Sequence, residues 1–169
     1  MPGVPQSQRE AGLLARFLAH RFAGARIINQ VRLGPIPVIP GVSDIPGLPW
    51  NALANFRRWA DAVVIEKDLV TIVEAKTIMD PGLPSTLQLY GALWKRTPEY
   101  KDFLHLPVKL MAVVAFDDPV LSQIARGFGI EVVVFTPPDI AAELANKYFF
   151  RKRQTQAKAT PAAVLDDFA

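Results

Sequence analysis

One stretch limits the folds open to this chain more than any other: Arg58-Trp-Ala-Asp61-Ala-Val-Val-Ile-Glu-Lys67-Asp68-Leu-Val-Thr-Ile-Val-Glu74-Ala-Lys76. Residues 60–66 and 69–76 are rich in Val and Ile, and Lys67-Asp68 is the one place where the run can bend. It therefore reads as two strands joined by a tight turn. With Lys67 and Asp68 as the loop, Glu66 faces Leu69, Val63 faces Ile72 and Asp61 faces Glu74; only a loop of odd length breaks that pairing. Directly opposed residues of an antiparallel pair hold their Cβ atoms about 4.5–5.5 Å apart on one face. Lys76, two residues beyond Glu74, shares that face.

Opposed carboxylates repel unless something positive lies between them. A hard divalent cation meets that need, because Mg²⁺ takes one or two protein carboxylates and keeps water or phosphate in its other positions. Val63, Ile65, Val70 and Ile72 make up the rest of the face, so the charges stand where an apolar surface ends. A plainer reading stays open: acidic residues often end strands, and Glu74 with Lys76 could be a surface ion pair.

Asp61, a hairpin and then Glu74-Ala75-Lys76 resembles the signature of the PD-(D/E)XK nuclease superfamily, with Ala60 where the signature has Pro. The resemblance implies a restriction-endonuclease-like α/β fold: a three-layer core with a central mixed β-sheet flanked by helices. It implies Mg²⁺, for which Mn²⁺ can substitute, held by Asp61, Glu74 and the Ala75 carbonyl, with Lys76 assisting the attacking water. Many members add a Glu from the first helix, which here points to Glu10. Gln88 and Tyr90 in Leu-Gln-Leu-Tyr resemble the glutamine–tyrosine motif of the RecB-like branch. That branch spaces the two residues four apart rather than two, so Gln88 is the candidate and Tyr90 reads equally as core.

The surrounding chain is read from its own patterns. At 169 residues, half of them hydrophobic, it suits one globular domain over 8–153 with a loose arm at 1–7. A formal net charge of +3 and a pI near 9.3 are compatible with a polyanionic partner without being diagnostic of one; that the partner is DNA is what the resemblance implies. The lack of cysteine excludes a disulfide framework and a thiolate zinc site. No apolar run approaches the ~18 residues of a membrane span, and the start lacks a signal-peptide layout, so a cytoplasmic protein is the default expectation.

Ser7 is expected to cap a helix from Gln8 to Phe22, with Glu10 completing a capping box as the plainer alternative to a metal role. Residues 26–33 read as a strand. Residues 34–50 form a Pro-rich excursion, since proline excludes a central strand or a helix. Its apolar residues suggest that it lies against its own domain or a second subunit. A short helix is expected between Trp50 and Trp59, with Arg57 and Arg58 either gripping a nucleic-acid backbone or simply ending that helix.

Leu83 to Lys95 has helical spacing, residues 97–107 read as a loop, and Val108 to Phe116 as a buried strand. Asp117 or Asp118 should cap a helix to about Phe128, and Ile130 to Phe135 should be a second buried strand. A last helix from Pro137 to about Arg153 turns basic at Lys147, Arg151, Lys152 and Arg153. These residues complement the helix dipole or bind phosphate. Residues 154–169 read as a flexible tail ending in an acidic-hydrophobic segment. The tail and the Pro-rich loop are candidate surfaces for a homodimer or a larger assembly. From a different functional class comes a non-cleaving subunit of the same fold, a structural or nucleic-acid-binding component of a larger assembly such as a virion. Some other phosphate chemistry at the acid-rich site is a weaker third reading.

Overall fold

The computed structural model describes residues 6–146, and the chain divides into two compact units between Phe135 and Thr136. The first unit is an α/β structure with elements α1 (Gln6–Arg21), β1 (Arg26–Leu33), β2 (Arg58–Ile65), β3 (Val70–Ile78), α2 (Leu83–Trp94), β4 (Val108–Phe116), α3 (Pro119–Gly127) and β5 (Ile130–Val134). The strands form one mixed sheet in the order β1-β2-β3-β4-β5. Strand β2 is antiparallel to both β1 and β3, while β3, β4 and β5 run parallel to one another, as their helical crossovers require.

Alternation along the strands divides the core between the two faces of the sheet. Val63, Ile65, Val70, Ile72, Leu110, Ala112 and Val114 pack on α2 and α3, through Leu83, Leu87, Tyr90, Trp94 and Ala125. The opposite residues, among them Ala62, Val64, Val73, Met111 and Val113, are buried on the side of α1 with Leu13, Phe17 and Leu18. This is the expected three-layer arrangement.

Local structure departs from the sequence reading at several points. Helix α1 already includes Ser7, so Ser7 is not its cap and the capping box dissolves. The short helix ahead of β2 is a 3₁₀ helix, Trp50–Phe56, and Arg58 and Trp59 already belong to the strand. A second 3₁₀ helix, Pro98–Phe103, occupies part of the segment read as loop. Strand β5 lies at the sheet edge and is half-buried, so it is not covered on both faces. Asp118 caps α3 as expected, accepting from the N–H groups of Val120 and Leu121 at 3.0 and 3.1 Å.

The Pro-rich excursion leaves β1 at Gly34, whose φ of 82° favours glycine and where a β-carbon would meet Leu93 at 2.9 Å. The Gly34 N–H is pinned by the buried Thr97 hydroxyl at 2.8 Å. Ile36, Ile39, Val42 and Leu48 of the excursion are half-buried, while Val38 and Ile45 face solvent.

In the second unit, α4 (Pro138–Ala145) begins with proline, whose missing N–H costs nothing in a first turn. Lys147, Arg151, Lys152 and Arg153 lie outside the described residues. Among the described residues no helix is long and apolar enough to cross a membrane.

Candidate active site

The hairpin folds in the counted register. Val63 pairs with Ile72 and Ile65 with Val70, and the Glu66 N–H closes the two-residue turn on the Leu69 carbonyl at 2.9 Å. The ladder then stops at Ala62 and Val73. Continued regularly, it would send the Ala75 N–H to the carbonyl of Ala60. That N–H instead donates to Asp61 Oδ2 at 2.9 Å, and the Asp61 N–H donates to Glu74 Oε2 at 3.3 Å. Side-chain carboxylates thus take the places of backbone acceptors, and β2 and β3 part at this point. Asp61 and Glu74 meet in the opening, each carboxylate accepting a backbone N–H from the other strand.

Asp61 is detached on its other flank as well. The β1–β2 register skips Gln30, the residue opposite Asp61, although Asn29↔Ala62 and Val31↔Ala60 pair on either side. Gln30 has a φ of 51°, the one positive value outside glycine among the described residues. A left-handed conformation costs a side-chain-bearing residue about 1–2 kcal/mol and persists only where its surroundings hold it.

Two more charges reach the opening. Lys76 Nζ lies 3.8 Å from Glu74 Oε1 and 3.6 Å from Glu10 Oε2, so the first helix does bring its Glu to the site. The Lys76 ammonium thus stands between two carboxylates, with Asp61 within electrostatic reach. Burial, and then the charge of Asp61, pushes the Glu74 carboxyl from 4.5 up to about 7. Burial also raises Asp61, against the lowering effect of the Ala75 N–H and Lys76. For Lys76 burial works against the charge, yet Glu10, Glu74 and Asp61 together raise its pKa. Tyr90 is pushed up to about 12, by burial and then by Glu74 and Asp61, so its phenol keeps its proton at neutral pH.

No family model and no curated protein matches the chain. Two crystal structures resemble it in outline. One is a repair endonuclease from Pyrococcus abyssi, with a TM-score of 0.47 and 16% identity over 82% of this chain and 50% of that one. The other is a protein of unknown function, with a TM-score of 0.43 and 14% identity over 81% of this chain and 64% of that one. The chain thus spans about half the length of the endonuclease and under two thirds of the second protein.

The other candidate residues divide. Gln88 points away from the acids and donates to the Phe128 carbonyl at 2.6 Å, so it is no member of the site. Tyr90, two residues on, is buried within electrostatic reach of Glu74 and Asp61. The signal was the phase of α2: Leu87, Tyr90 and Trp94 form one buried stripe, and Gln88 lies about 100° away from Leu87 around the helix. Arg57 is buried and turned inward, paired with the Glu99 carboxylate and donating to the Arg32 carbonyl at 2.8 Å. It ties β1 and β2 to the 3₁₀ helix Pro98–Phe103 and is not presented to a ligand. Arg58 is exposed, within electrostatic reach of Tyr90.

Among the described residues no three acidic, histidine or cysteine side chains form a metal-holding group by themselves. The donors on offer are the Asp61 and Glu74 carboxylates and the Ala75 carbonyl, which in a strand points the same way as the Ala75 N–H, towards the opening. Two hard carboxylates and one carbonyl, with room for water, suit Mg²⁺ and do not form a closed zinc cage.

Proposed function

We propose that this chain is a Mg²⁺-dependent nuclease of the PD-(D/E)XK type that hydrolyses DNA phosphodiester bonds, with Mn²⁺ able to replace Mg²⁺. The observation that carries this reading is the parted ladder, where Asp61 and Glu74 share a half-buried opening with Lys76 as their neutralising neighbour. Burial and mutual repulsion disfavour charge on two carboxylates that share one opening, and a divalent cation between them offsets both.

Asp61, Glu74 and the Ala75 carbonyl would hold the ion, which supplies Lewis-acid activation of water and charge neutralisation at the phosphate. The Ala75 N–H fixes the Asp61 carboxylate in the opening. Glu10 holds the Lys76 ammonium beside Glu74, where it can orient the attacking water or donate to a phosphate oxygen as charge develops there. Tyr90 keeps a protonated hydroxyl within electrostatic reach of both acids.

The test is cleavage of plasmid and single-stranded DNA in Mg²⁺ or Mn²⁺, wild type against Lys76→Ala, with circular dichroism to confirm folding. Cleavage that needs the metal and falls by orders of magnitude in the variant supports the reading. Cleavage unaffected by the substitution rejects the mechanism. A wild type that cuts nothing favours the non-cleaving subunit.

A further inference from the structure

The conformation of Gln30 has a second effect beyond freeing Asp61. Neighbouring residues of a strand face opposite sides, yet Asn29 and Gln30 both line one cavity of about 610 Å³ beneath α1. The left-handed turn at Gln30 allows this, and it also exchanges the faces of the sheet. Ile28 ahead of it and Val31 and Leu33 behind it all pack on the α2 side. Two carboxamides, each offering a donor and an acceptor, are thereby set side by side and solvent-facing.

The cavity exists because α1 packs across β3 and β4 and contacts β1 little. Its walls are apolar, from Leu18 and Ile27, and the small, exposed side chains of Ala15 and Ala19 leave it open to solvent. Glu10 and Asp61 also line it, so it opens onto the candidate active site. The volume falls in the range of about 300–1,000 Å³ usual for small-molecule sites, and apolar walls with a few polar groups are the usual lining. Past the switch, Trp59 and Arg32 take the same side of the sheet as Asp61 and Gln30, two residues or about 7 Å farther along each strand. Trp59 is exposed with the Arg32 guanidinium 4.5 Å over its ring, an aromatic–arginine surface of the kind on which unpaired bases stack.

We propose that this cavity takes an unpaired nucleobase of the bound strand beside the phosphate at the acid pair, its edge read by the Asn29 and Gln30 carboxamides. The inference rests on the nuclease reading for the position of the phosphate. It makes the substrate a strand that is single or locally unpaired, because a base within a closed duplex cannot enter the cavity.

The test uses single-stranded oligonucleotides carrying one 2-aminopurine at successive positions, titrated with the full chain in Ca²⁺ buffer, with binding followed in parallel by anisotropy of an end label. A base drawn from its stack into an aliphatic cavity brightens several-fold, whereas one stacked on Trp59 is quenched. The expected result is brightening at a single position, lost in Ala15→Leu, which fills the cavity from an exposed helix position, and reduced in Gln30→Gly, with both variants still binding the strand. Bound strands that brighten nowhere, brightening that survives Ala15→Leu, or a wild type that binds no strand overturn the proposal. Cleavage without brightening sinks this inference and spares the nuclease reading, and brightening without cleavage does the reverse.

Discussion

Glu74→Gln should make the protein more stable at the pH where it abolishes function. Glu74 is 7% exposed and its carboxyl is raised from 4.5 to about 7, so at pH 8 the folded chain carries a charge in a place that disfavours it. Each pKa unit corresponds to about 1.4 kcal/mol, so the shift stores on the order of 3 kcal/mol against the folded state. The sign follows from proton counting. Between pH 4.5 and about 7 the native state binds more protons than the unfolded one, so stability is fully present below that window and falls as pH rises through it.

Gln carries no charge to bury and nearly the same shape. Urea unfolding in EDTA should therefore show the variant more stable than wild type by about 3 kcal/mol at pH 8, with the gap closing towards zero near pH 4.5. Cleavage in Mg²⁺ should be lost at both. A variant less stable than wild type at pH 8, or a gap that does not change with pH, would refute the claim that Glu74 is held as a strained carboxylate.

Three other substitutions separate structural from functional roles. Gln30→Gly should exceed Gln30→Ala in stability by about 1 kcal/mol by thermal or urea unfolding, the reverse of the order at an ordinary strand position; equal stabilities would deny the left-handed conformation. Arg57→Ala should cost about 2–3 kcal/mol, because it leaves the Arg32 carbonyl and Glu99 without their shared partner. Wild-type DNA affinity measured by anisotropy on the folded variant would agree with that assignment, and weakened DNA binding with unchanged stability would restore Arg57 to the nucleic-acid surface. Gln88→Ala should lose no more than about 1 kcal/mol with its bond to Phe128 and leave metal-dependent cleavage intact, whereas a large loss of rate would return it to the site.

The hairpin was legible because a two-residue loop leaves one register, and Lys67-Asp68 is the one polar interruption in two apolar runs. The break in that hairpin was not legible. It depends on an Asp side chain outcompeting a backbone carbonyl for the Ala75 N–H, a choice made by the whole sheet. The same holds for Gln30, where the only trace in sequence is that two polar residues, Asn29 and Gln30, stand next to each other inside a strand. Gln88 stands out only through a motif whose spacing the chain does not keep, while the helical phase of α2 sets Tyr90 on the buried side. Arg57 reads as a free surface cation until Glu99, more than forty residues later, is brought against it by the second 3₁₀ helix. The half-buried state of β5 is equally non-local, since a run of valines does not reveal that β5 ends the sheet among the described residues.

The most direct test of the metal-centred account is an anomalous-difference map at the manganese edge from crystals soaked in Mn²⁺. The account predicts a peak in the opening between β2 and β3, within coordination distance of the Asp61 and Glu74 carboxylates and the Ala75 carbonyl, and no peak there in Asp61→Asn. An empty opening at saturating Mn²⁺, or an ion bound only elsewhere, would contradict it.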